Sequence, residues 1–105
     1  MSKINEKTVV KRDGRVVNWD SFRIQHAIFR AAIFGKYHNN ALSANMLANK
    51  VTQAVELAIS KLNFDKVEID SIQNIVVREL TQKDKDVAAA FLAYKVERDI
   101  ERVKQ

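Results

Sequence analysis

The sequence contains no cysteine and no proline, and its 105 residues include only two glycines, Gly14 and Gly35. Without cysteine the chain has no disulfide framework, no thiolate metal site and no cysteine nucleophile. Without proline, and with so little glycine, few turns can rest on special backbone residues, so the composition favours helices. Two isolated glycines cannot supply a Walker loop or a dinucleotide-binding fingerprint. Histidine is equally scarce. His26 and His38 have no ligand partner three or four positions on, and no metal site is expected from protein side chains. Ser21, His26 and Asp20 can be drawn as a triad, but no nucleophile elbow supports it, and no catalytic residue is assigned. No apolar run approaches the ~20 residues of a membrane span. The opening "MSKINEKT" lacks the apolar core of a signal peptide. These absences lead to the expectation of a non-catalytic, cytoplasmic chain.

Apolar residues make up 47% of the chain and charged residues 30%, a balance suited to a folded domain. The length suits a single domain. Residues 1–7 are polar and expected to be disordered; residues 8–103 are expected to form the domain. The formal charge is +5 and the pI about 9.6, which favours anionic partners.

Residues 8–12 and 15–19 alternate as two short strands around Asp13-Gly14, a strong hairpin signal. A two-residue turn there pairs Val10 with Val17 and Lys11 with Val16. Asp20 is a good N-cap for a first helix, with Ile24, Ile28 and Ala31 inward and Gly35 at its stop. A second helix is predicted to begin after Ser43, with Leu47, Val51, Val55, Ala58 and Leu62 in one stripe. A third is predicted over Asp70–Leu80, with Ile69, Ile72, Val76 and Leu80 inward. After a polar "TQKDKD" loop, a fourth is predicted from about Asp86, with Ala89, Leu92, Val96, Ile100 and Val103 in line. The expected fold is mostly α with a small β part: an N-terminal β-hairpin capping a four-helix bundle.

Lys11, Arg12 and Arg15 crowd the hairpin tip, and Arg23 lies in the first turn of the first helix. The helix N-terminus adds free N–H groups and partial positive charge. Two readings stand side by side: a solvated basic turn, or a site for an anion. Adjacent strand residues point to opposite faces, so Lys11 and Arg12 cannot both reach one phosphate from a flat strand. Trp19 reads as a plug between hairpin and first helix. Phe91 and Tyr94 read as core or groove wall.

The stretch "VVKRDGRVVNWDSFRIQHAI" resembles the opening of the ATP-cone family, through Val9, Lys11, Arg12, Asp13, Gly14, Trp19, Asp20, Arg23 and Ile24. A second, later motif agrees with it: Ile72 and Val76, then Val87, Ala88, Phe91, Tyr94, Lys95 and Arg98. The resemblance covers about residues 7–98. It implies four helices capped by the hairpin. It also implies ATP or dATP bound as an allosteric effector, with Mg2+, and not as a substrate. The nucleotide-binding residues it implies are Val9, Lys11, Arg12, Asp20, Arg23, Gln73, Lys95 and Arg98. The chain departs from the family pattern at Arg23, where lysine is more usual. It departs also at Ile69, often a hydroxyl residue, at Gln73, histidine in some members, and at Val17, a carboxylate in others.

The family resemblance further implies a regulatory domain controlling a ribonucleotide reductase. Its partners would be the catalytic domain or subunits, and control could run through a homo-oligomer formed by the domain. The alternative is the ATP-cone of a nucleotide-responsive transcriptional regulator or another nucleic-acid-binding protein. Nucleic acid is not the expected partner, because Lys and Arg are spread over the hairpin and all the helices and are not concentrated on one. A third reading is an oligomerisation domain with a vestigial site.

Overall fold

A computed structural model describes residues 4–93. A 3-10 turn, Ile4–Glu6, leads into β1 (Thr8–Val10) and β2 (Val16–Asn18); α1 (Ser21–Ile33) and α2 (Ala41–Ser60) follow. Then come β3 (Lys66–Glu68), α3 (Ile69–Lys83) and α4, helical over 85–93. The expected architecture, mostly helical with a small β part at the N-terminal end, is the one observed. Among the described residues, no helix is long and apolar enough to cross a membrane.

The sheet has three strands in the order β2-β1-β3. β1 runs antiparallel to β2 and parallel to β3, so Val9 sits between Val17 and Val67. β3 is not predicted from the sequence. It has three residues and buries only Val67, too little for alternation to register. It matters because α3 starts directly from it.

The hairpin register differs by one residue from the predicted one. Val10 pairs with Val16, and Val9 with Val17. Lys11 N–H donates to Arg15 at 2.8 Å and Gly14 N–H donates back to Lys11 at 2.9 Å, leaving a three-residue loop, Arg12 to Gly14. Within this loop only Gly14 has positive φ, +90°. This is a type I turn closed by a left-handed glycine, which needs one such residue where the predicted type I′ turn needs two. Arg12 therefore lies in the loop and escapes strand alternation.

Residues 4–7 are part of the lead-in expected to be disordered, yet they are built into the fold. Lys7 is fully buried, and its ammonium donates to the Leu62 carbonyl at 2.8 Å and to the Phe64 carbonyl. A buried charge is tolerated only with such partners. The pair of bonds ties the lead-in to the connection between α2 and β3.

α1 starts as predicted, with the Asp20 side chain accepting from Phe22 N–H at 3.0 Å. It ends at Ile33 with Phe34 as cap, in right-handed geometry, and Gly35 follows at the stop without a positive φ. α2 begins three residues before the predicted Ser43–Ala44 boundary, because Asn40 takes the cap and accepts from Ser43 N–H at 3.1 Å. The predicted stripes of α1 to α3 face the core, where Ile28, Val51, Val55 and Leu80 are fully buried. Alanines Ala31, Ala32, Ala44 and Ala48 are buried on α1 and α2, and such small side chains let helices approach closely.

α3 runs past the predicted Leu80 to Lys83, so the expected "TQKDKD" loop shrinks to Asp84, the one non-helical residue before α4. α4 is also rotated from the predicted face. Val87, Ala88 and Phe91 are buried, while Ala89 and Leu92 are exposed. Val96, Ile100 and Val103, also predicted inward, lie outside the described residues.

Asp84 organises this corner. Its Oδ1 accepts from the Asp86 and Val87 N–H groups at 3.1 and 3.2 Å, and its Oδ2 from the Tyr37 hydroxyl at 2.9 Å and the Lys36 ammonium at 3.2 Å. Burial alone would raise its carboxyl, but the bonds from Tyr37, Val87 and Lys36 outweigh burial and hold it below the ordinary 3.8. A carboxyl depressed in the folded state stabilises above its unfolded value and loses that contribution as pH falls through the folded one. Asp84→Ala should lower unfolding free energy by about 2 kcal/mol at neutral pH, from the lost cap and an unpaired Tyr37 hydroxyl. In urea melts this deficit should narrow as the pH drops below 3.8.

The two glycines should respond in opposite ways. Gly14→Ala places a side chain at φ +90° and should destabilise by about 1 kcal/mol. At Gly35 an added Cβ meets nothing closer than the Ala31 carbonyl at 3.7 Å. Gly35→Ala should therefore be neutral or slightly stabilising in thermal melts.

Candidate functional site

Between the hairpin and helices α1 and α3 lies a cleft with two compartments, of 310 and 200 Å³. Lys11, Arg23, Ile24, Ile69 and Ile72 line both, so the compartments adjoin. The larger has an apolar wall of Val9, Val17, Trp19, Ile24, Ile69 and Ile72 under a polar rim of Lys11, Arg15, Asn18, Asp20 and Arg23. The smaller adds Arg12, Gln73, Ala27, Val76 and Phe91. Each wall follows from local structure. Val9 is buried because β1 is the central strand, and Ile69 and Ile72 face the hairpin because β3 pairs with β1 and delivers the start of α3 there.

The cations differ in what holds them. Lys11 is half-buried at the junction of the compartments, and its ammonium has no ion pair among the described residues. Arg23 lies 3.6 Å from the Asp20 carboxylate and is largely exposed. Arg15 pairs with Asp13 at 2.7 Å. The Arg15 backbone N–H and guanidinium hold the Asp13 carboxyl below its usual range. Arg12 reaches across to α3: its Nε and Nη2 donate to Asp70 Oδ1 at 3.1 and 2.9 Å, and Nη2 also donates to Gln73 Oε1 at 3.2 Å. The loop position of Arg12 removes the alternation conflict, because it and Lys11 line the same compartment.

Trp19 is fixed from α2. Its indole N–H donates to Glu56 Oε2 at 2.6 Å, and the Ser21 hydroxyl donates to the same oxygen. The predicted plug therefore also serves as a wall of the larger compartment, held in one orientation.

Of the residues implied by the family resemblance, the cleft brings together Val9, Lys11, Arg12, Asp20, Arg23 and Gln73. Val9 contributes apolar surface and the others polar groups. Asp20 spends one carboxylate oxygen on the α1 cap, so one of the helix's N–H groups is already satisfied by protein. Lys95 and Arg98 lie outside the described residues. Arg15, read from the sequence as part of the basic tip, also lines the cleft, as do Asn18, Ile69 and Ile72, which were not among the residues implied to bind nucleotide. The hydrophobic stripe of α3 marked Ile69 and Ile72 as inward, but nothing in it separates core from cleft. Among the described residues no group of three or more His, Cys, Asp or Glu is placed to hold a metal ion.

A cationic cleft with an apolar floor suits an amphipathic anion. The sequence matches the ATP cone domain family over residues 7–100, a span that includes both cleft walls. Comparison with curated proteins gives no match. With a family match over most of its length and a cleft of this character, the chain belongs to the ATP-cone family and is a nucleotide-binding regulatory domain, not a catalytic one.

Proposed function

We propose that the cleft binds ATP or dATP as an allosteric effector that controls a ribonucleotide reductase in the cytoplasm. The carrying observation is that Lys11 and Arg23 line both compartments, which puts cations beside an apolar floor. A compartment of 310 Å³ falls at the lower end of the ~300–1,000 Å³ of small-molecule sites. The purine lies against Val9, Val17, Trp19 and the isoleucines. The phosphates lie toward Lys11, Arg12 and Arg23, with Mg2+ carried by the triphosphate, and Gln73 at their edge. Arginine can grip phosphate oxygens two at a time. Asp20 is an acceptor only and suits a ribose hydroxyl better than a phosphate. The family resemblance adds Lys95 and Arg98 to the proposed phosphate-binding residues. The reductase assignment rests on the two motifs read from the sequence.

Control through assembly is part of the proposal. A ligand shifts an assembly equilibrium only through a difference between states. A candidate contact face is the groove of 530 Å³ between α1 and α2, where Phe22 and Leu42 are exposed beside Phe29. Sedimentation of the full-length reductase with saturating ATP and then dATP should give different distributions; identical ones would remove this part.

The binding proposal is tested by calorimetry with ATP, dATP and GTP, where adenine nucleotides should bind more tightly. Lys11→Ala and Arg23→Ala should each weaken ATP about tenfold or more, since a hydrogen bond to a charged group contributes roughly 1.5–3 kcal/mol. Apo melting temperatures should barely move, as Arg23 is largely exposed and Lys11 holds no ion pair among the described residues. Trp19 is the sole tryptophan and lines the cleft, so its emission should change with saturable ATP dependence. Unchanged binding in both variants would reduce the basic tip to a solvated turn.

A further inference from the structure

Arg12 meets Asp70 with the edge of its guanidinium that best grips a phosphate. Nε and Nη2 both donate to Asp70 Oδ1, at 3.1 and 2.9 Å. That edge presents two parallel N–H groups, the geometry of bidentate recognition of carboxylate or phosphate. Asp70 lies in the first turn of α3, and its side chain is 60% exposed against 30% for Arg12. The carboxylate therefore stands at the rim, while the guanidinium lines the compartment.

From this geometry we infer that Asp70 is a competitor for Arg12, an internal anion that a nucleotide's phosphates must displace. The inference rests on the nucleotide reading of the cleft and adds a residue that sets its affinity. Two physical effects give the same sign. Phosphate oxygens reach the Nε–Nη2 edge only when Oδ1 leaves it. A carboxylate beside Arg12 also repels a polyanion at that position. The exchange is reversible at low cost because an exposed carboxylate regains its water readily, and exposed ion pairs are weak. Gln73, which accepts from Nη2 at 3.2 Å, keeps Arg12 directed at the compartment when Asp70 lets go.

The test is calorimetric titration of ATP and ADP into the wild-type chain, Asp70→Asn, Arg12→Ala and the double variant. Asparagine keeps the size and an acceptor oxygen but removes the charge. Asp70→Asn should tighten ATP about threefold, the scale of one exposed ion pair. ADP, with one phosphate fewer, should gain less. In the Arg12→Ala background the gain should shrink to the part that charge repulsion alone supplies. The apo melting temperature of Asp70→Asn should be unchanged or lower, so tighter binding cannot come from a more stable fold. A residue that merely positions Arg12 would give the opposite sign, so equal or weaker ATP binding by Asp70→Asn overturns the inference. A gain undiminished without Arg12 also overturns it, leaving only general charge repulsion. If the wild-type chain and Asp70→Asn alike bind no nucleotide, the failure is that of the nucleotide reading itself.

Discussion

The fold depends on the pairing of β1 along both of its edges. Three residues, Thr8–Val10, form an antiparallel ladder with β2 and a parallel one with β3. Parallel strands need a long crossover, and here α1 and α2 provide it. The pairing brings the start of α3 beside the hairpin, although some 58 positions separate Arg12 from Asp70. Without β3 the hairpin would cap the helices with no second wall, and the cleft would be an open face. Lys7 supports the same junction, because its buried ammonium holds the chain ahead of β1 against the carbonyls that follow α2.

Electrostatics in the cleft are more balanced than the +5 net charge suggests. Asp13, Asp20 and Asp70 each stand beside an arginine, at Arg15, Arg23 and Arg12. These pairs are exposed and contribute little to stability individually. Their effect is on availability: an arginine bound to a carboxylate must exchange partners before it can hold a phosphate. Lys11, placed where the compartments meet, has no such carboxylate partner among the described residues. A regulatory site gains from this arrangement, since an effector has to leave as well as bind.

Helical stripes were legible because apolar residues recur at helical spacing over long spans, as in Leu47, Val51, Val55 and Ala58. The cap at Asp20 was legible for the same local reason. Where several residues could serve, the sequence did not choose among them. Asn40 and Ser43 both make good caps, and Asn40 takes the role. In "VAAAFLAY" the alanines carry no strong period, so periodicity placed α4 on the wrong face, although Phe91 itself read as core or groove wall. Asp-Gly fits both a two-residue and a three-residue loop, and the register moved by one. For the site, Lys11, Arg12, Asp20, Arg23 and Gln73 were legible as a set only through the two family motifs.

The sequence by itself determined the helical content, the hairpin, the core stripes of α1 to α3 and the family, because each depends on local pattern or on motifs in order. Tertiary structure alone decided β3, the burial of Lys7, the cap shared by α3 and α4 at Asp84, and the partner of Arg12. Each of these joins groups far apart in the chain, or turns on which of two local solutions packs better. Spacing along a sequence carries no information about an ion pair that only a parallel strand brings within 2.9 Å.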